Sequence, residues 1–234
     1  MGLHPFRLRN PGVGGENAIV SDSPGSIRVG ETSTRRITLA AAFTALYVAA
    51  SAIPISAFVG GAGFITAGII LLPVIARLLR PREAAIVAIL APLALFVFQL
   101  SVIPVFGFYG MLIPAVSLVL GSLGFHRSYL IPTLYVILGL VWYTVFSGGT
   151  VLWLAPYFVA IALAIANQLR RFTRGGRLGV VLHSLEVTMC ELVTMNIGSI
   201  SVLHLPGALW LIITPIMYFE RGVAVFGSSI ILLA

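Results

Sequence analysis

Eight apolar blocks, each roughly 16–26 residues long, fill this chain from Arg35 onward, and their length constrains the fold more than any other feature. A helix rises about 1.5 Å per residue, so roughly 20 apolar residues cross about 30 Å of bilayer hydrocarbon. The blocks are not amphipathic stripes. Hydrophobic residues make up 59% of the chain, charged residues 9%, and the mean hydropathy is +1.07. Soluble domains carry about 25% charged residues, so a soluble bundle of these helices would have no polar outer face. The expected fold is all-α: a polytopic transmembrane helical bundle in the lipid bilayer, with spans at 37–57, 64–79, 83–103, 107–125, 129–147, 151–169, 178–200 and 207–233. The count falls to six if two segments are re-entrant or interfacial.

Charge placement orients the bundle. All fourteen basic residues are arginine, and the net charge is +7. In a soluble protein this balance would point to nucleic acid; here the arginines lie between apolar blocks, where the positive-inside rule accounts for them, and no nucleic-acid partner is expected. With the N-terminus inside, the inner segments hold Arg7, Arg9, Arg28, Arg35, Arg36, Arg77, Arg80, Arg82, Arg127, Arg170, Arg171, Arg174 and Arg177. The outer loops hold none. This predicts a multi-pass protein of the cell (plasma) membrane with both termini cytoplasmic. Residues 1–34, rich in Gly, Pro and Ser, read as a flexible cytoplasmic extension; 35–234 form the transmembrane domain. Gly12-Val13-Gly14-Gly15 lacks the following Lys-Ser/Thr of a phosphate loop. The single cysteine, Cys190, cannot form an intramolecular disulfide or a CxxC metal site.

Two outer ends echo each other: Ser51-Ala52-Ile53-Pro54 followed by Gly60, and Ser101-Val102-Ile103-Pro104 followed by Gly110. Ile-Pro before Gly is a common helix exit. Alternatively, the echo marks a duplicated hairpin whose outer loops face each other over a pocket.

Ionisable residues inside a membrane are costly, at about 2.5–3.5 kcal/mol on insertion scales, and they face protein or water with a partner. The seventh block carries His183, Glu186, Glu191 and Asn196; the eighth carries Glu220 and Arg221. Counting inward from each end sets Glu191 and Arg221 at similar depth, where antiparallel neighbours can pair them. That pair either fastens two helices or serves a ligand or coupling ion. His183 and Glu186, three apart, share a face and read as a hydrogen-bonded pair or a proton relay. Gln99 is the best polar candidate from the first half. Trp142, Tyr143, Trp153, Tyr157 and Trp210 gather at the outer ends of three blocks, as an interface belt or as the wall of a pocket. Ala41, Ala45 and Ala49 recur every fourth residue, a flat face toward lipid, another helix or a separate subunit. No His, Cys or acidic residues have metal-ligand spacing, and no Ser/His/Asp or HExxH pattern occurs, so neither a metal, a cofactor nor an enzymatic activity is expected.

The run Arg36-Ile37-Thr38-Leu39-Ala40-Ala41-Ala42-Phe43-Thr44-Ala45-Leu46-Tyr47-Val48-Ala49-Ala50-Ser51 resembles the first helix of the substrate-binding (S) components of energy-coupling-factor transporters. The Ile-Pro exit, the glycines Gly60, Gly61 and Gly63, Phe64–Ile70 and the basic turn Arg80-Pro81-Arg82 extend the resemblance to about residues 36–125. It implies a small high-affinity binder for a vitamin or trace nutrient, working with a transmembrane coupling subunit and cytoplasmic ATPases. Ala41, Ala45 and Ala49 would contact the coupling subunit, and residues 58–63 would close over the ligand. That family usually has six spans, and the second half of this chain, with Glu186, Glu191 and Glu220-Arg221, matches none of its substrate subclasses. The leading expectation is a substrate-binding subunit of an ATP-driven uptake transporter, holding a small molecule in an outward cavity near Glu191, Asn196, Glu220, Arg221, Gln99 and Trp153. The alternatives are an ion-coupled secondary transporter using Glu186, Glu191 and Arg221, and a non-catalytic structural subunit of a membrane complex.

Overall fold

The structure is a computed structural model describing residues 27–58, 63–101, 103–170 and 176–234. Its helices are α1 (Ile27–Ala50), α2 (Gly68–Leu78), α3 (Pro81–Phe98), the single turn α4 (Ile103–Phe106), α5 (Phe108–His126), α6 (Leu130–Phe146), α7 (Ala155–Arg170), α8 (Arg177–Ser201) and α9 (Leu209–Leu233). A 3-10 turn, Val151–Leu154, leads into α7. Every apolar block contains one helix of eleven residues or more. Among the described residues, four helices are long and apolar enough to cross a membrane: α3, α5, α8 and α9. Large apolar side chains such as Ile89, Phe98, Leu138 and Phe226 cover the outside of the bundle, which is compatible with a membrane location and costly in water.

Helix α8 is the axle. It packs against α2, α5, α6, α7 and α9, and buries most of its 25 residues. Small residues on its neighbours let them approach. A Cβ at Gly139 would stand 2.5 Å from the Val193 methyls, and one at Gly121 would stand 2.5 Å from Val187. Encased this way, α8 can carry polar side chains, because its neighbours supply their hydrogen-bond partners. The Thr194 carbonyl accepts from the Tyr109 hydroxyl (2.6 Å), and the Thr194 hydroxyl meets that of Tyr135 (2.9 Å).

Two boundaries differ from the sequence reading. Helix α1 begins at Ile27, inside the stretch assigned to the extension, and ends at Ala50 rather than 57. After it, Pro54–Ala57 (β1) pairs antiparallel with Phe64–Thr66 (β2). Pro54 cannot continue a helix, and the chain leaves α1 as the first strand of the pair. The second block is therefore a short strand followed by a helix. Its 11-residue α2 rises only about 16 Å, and the three residues of β2 add about 10 Å. The hairpin backbone is satisfied internally and by its neighbour: Phe58 N–H donates to the Gly63 carbonyl (2.9 Å) and Phe64 N–H to the Ser101 carbonyl (3.1 Å). Non-helical backbone at membrane depth needs this kind of cover.

The two Ser-x-Ile-Pro segments do lie side by side. Besides the Phe64–Ser101 bond, the Phe58 and Phe106 rings meet edge to face at 5.3 Å. Their conformations diverge, since the first continues as a strand and the second as the turn α4.

Candidate functional site: a buried ionic network under the hairpin

Arg221 is the thirteenth of 25 residues in α9, and Glu191 the fifteenth of 25 in α8. Their similar depth brings them together as the spacing predicts. Arg221 Nη1 donates to Glu191 Oε2 at 2.5 Å and to the Thr188 carbonyl at 3.1 Å. Arg221 Nη2 stands 3.8 Å from Glu220 Oε2, and Glu220 Oε1 accepts from the Ser56 hydroxyl of β1. All three ionic side chains are buried. One guanidinium thus faces two carboxylates, and Nε and Nη2 of Arg221 have no hydrogen-bond partner among the described residues.

Ser56 gives the network its lid. It reaches Glu220 at the middle of α9 from a β1 strand that is itself half-buried to exposed. Ile65 and Thr66 of β2 are buried beneath it. The hairpin occupies the place where an outward cavity was expected. What remains open beside Glu191 is a cavity of about 10 Å³, walled also by Tyr47, Thr66, Leu95 and Ser101, which is the space of about one water-sized probe. Ser56 was not singled out in the sequence as a site residue. Its signal was the short polar–apolar alternation Ile55-Ser56-Ala57 before a glycine turn, a hairpin pattern.

Asn196 lies five residues after Glu191, a step that rotates it about 140° around α8, so it turns away from the network and its Nδ2 donates to the buried Tyr157 hydroxyl of α7. Trp153 is fully buried against Tyr143 (5.9 Å) and Trp210 (5.0 Å), with Tyr143 and Trp210 at 5.2 Å. These rings fill the interior by packing against one another. Gln99 is exposed at the end of α3 in the left-handed conformation (φ 52°), where its side-chain amide Nε2 donates to the Phe96 carbonyl at 2.7 Å. It caps a helix and does not join the network. Gly63 is the hairpin acceptor described above; Gly60 and Gly61 lie outside the described residues, as does the Gly12–Gly15 stretch.

His183 and Glu186 do not bond each other. His183 Nε2 lies 3.0 Å from the Pro73 carbonyl of α2, and Nδ1 lies 3.4 Å from the Tyr129 hydroxyl. Neighbouring helices offered the imidazole better-placed partners than the next turn did. Both carboxylate oxygens of Glu186 are buried with no hydrogen-bond partner among the described residues. Ala41, Ala45 and Ala49 all face outward on α1, while Ala40 and Tyr47 turn in, so the alanine face is not an internal packing seam. No group of three His, Cys, Asp or Glu side chains converges as a metal site among the described residues.

No family model, no curated protein and no solved structure matches this chain.

Proposed function

We propose that the chain is a multi-pass protein of the cell membrane, crossing eight times with both termini cytoplasmic, and that it is the substrate-binding subunit of an ATP-driven uptake transporter for a small nutrient. The observation that carries this reading is the Ser56–Glu220 contact, which ties a re-entrant hairpin directly to the buried Glu191–Arg221–Glu220 network. A hairpin that lifts would expose a polar site at mid-depth, and one that returns would close it. A purely structural bundle could be fastened at lower desolvation cost by apolar side chains. Ala41, Ala45 and Ala49, exposed along α1, suit close approach by a second membrane subunit, and the ATPases would be separate cytoplasmic chains. Co-purification of the full chain with a transmembrane coupling subunit and ATPases is expected. Uptake by the chain alone in ATP-free liposomes would contradict it.

Glu186 favours a second reading, an ion-coupled secondary transporter. A buried carboxyl group that has no hydrogen-bond partner among the described residues is retained at a cost and is a site where a proton or cation could load. Glu186→Gln would then abolish proton-coupled uptake, and uptake by that variant unchanged across a pH series would sink this reading.

A further inference from the structure

Beside the first turns of α1, two grooves run together. The first, about 330 Å³, is lined by Arg35, Arg36, Leu39, Leu78 and Arg80 among others; the second, about 490 Å³, shares Arg35 and Leu39 and continues along α1 to Ala42. Arg36 is held 3.7 Å from Glu83, whereas Arg35 and Arg80 are exposed and have no carboxylate within 4 Å among the described residues. Three arginines against one glutamate leave the head of the groove with a net charge of 3 − 1 = +2. From Arg35 to Ala42 the helix rises about 10 Å, so the cationic end passes into an apolar end along the helix axis. Leu39 and Leu78 are exposed there.

We propose that this groove seats one phospholipid with an anionic headgroup. The headgroup phosphate would lie between Arg35 and Arg80, with an acyl chain along Leu39, Leu78 and Ala42. This rests on the membrane-spanning reading above. Charge complementarity selects the anionic head, because arginine donors match phosphate oxygens bidentately. The order of charged and apolar lining selects a lipid over a free phosphate, which would leave the apolar half uncovered.

Native mass spectrometry of the full chain, extracted in detergent and titrated with phosphatidylglycerol or phosphatidylcholine, tests this. Wild type is expected to hold one phosphatidylglycerol in preference to phosphatidylcholine. Each arginine near a membrane surface is worth about fivefold in affinity for anionic lipid, so Arg35→Gln with Arg80→Gln should weaken the adduct by about 30-fold. Arg177→Gln, an exposed arginine at the start of α8, should leave it unchanged; Arg36 is kept because it pairs with Glu83. Three results would overturn the proposal: equal binding of both lipids, equal loss in Arg177→Gln, or displacement of the lipid by millimolar glycerol phosphate. A chain that needs detergent yet shows any of these sinks the lipid site alone. A chain soluble without detergent would sink the membrane reading as well.

Discussion

Arg221→Met removes the cation that faces both Glu191 and Glu220. Glu191 loses its 2.5 Å ion pair, the Thr188 carbonyl loses its side-chain donor, and Glu220 keeps Ser56 as its hydrogen-bond partner among the described residues. Removing one member of a buried pair costs about 3–5 kcal/mol, because a desolvated charge is left uncompensated. At about 2–4 °C per kcal/mol for a chain of this size, we predict a fall in apparent melting temperature of about 6–20 °C. Replacing both members, Glu191→Met with Arg221→Met, removes the stranded charge on α8 as well as its partner, and apolar replacement of a buried pair is often neutral or stabilising. The double variant should therefore recover more than half of the loss; Glu220, still ionisable, limits full recovery. Thermal melts by intrinsic fluorescence in one detergent, at one scan rate, give the four corners of the double-mutant cycle. If Arg221→Met shifts the transition by less than 1 °C, or the double variant is as unstable as the two singles added together, the pair is not the buried coupling described above.

Three other predictions follow from the packing and the polar contacts. Gly139→Ala should lower the melting temperature by several degrees, since its Cβ meets both Val193 methyls at 2.5 Å, whereas Gly222→Ala, with nothing within 4 Å, should leave it unchanged or slightly higher; a reversed order refutes the α6–α8 packing. Tyr157→Phe strands the Asn196 amide in the interior and should cost about 1–3 kcal/mol in the same melts, with a null shift contradicting that bond. Glu186→Gln replaces a buried carboxyl, without a hydrogen-bond partner among the described residues, by a group that cannot ionise, so the variant should gain in melting temperature over the wild type as the pH is raised to 10; no gain with pH would mean that a cation compensates the Glu186 carboxylate.

The helices were legible because lipid-length apolar blocks are a one-dimensional signal, and the Glu191–Arg221 pair was legible because depth can be counted along two antiparallel helices. Azimuth could not be counted in that way. Asn196 sits on the same helix as Glu191, but helical rotation turns it to α7. His183 is spaced to meet Glu186, yet the Pro73 carbonyl, more than a hundred residues away in sequence, takes its Nε2. The hairpin was hidden for a different reason. Its residues, from Pro54 through the glycines to Thr66, are as apolar as the helices around them, so hydropathy ran straight through a strand pair whose turn chemistry was present. Trp153 and Trp210 resemble interface anchors by composition, and only the meeting of α6, α7 and α9 in space makes them interior.

The most direct test of the hairpin-covered network as a substrate site is mass spectrometry of the small molecules released when the full chain, purified in detergent, is denatured beside Arg221→Met treated identically. The closed cavity beside Glu191 has space for only about one water, so a ligand would be held with the hairpin lifted; we predict one small molecule, neither lipid nor detergent, near one equivalent in the wild type and absent from the variant. Finding no such molecule in the wild type, or the same amount in both, would contradict it.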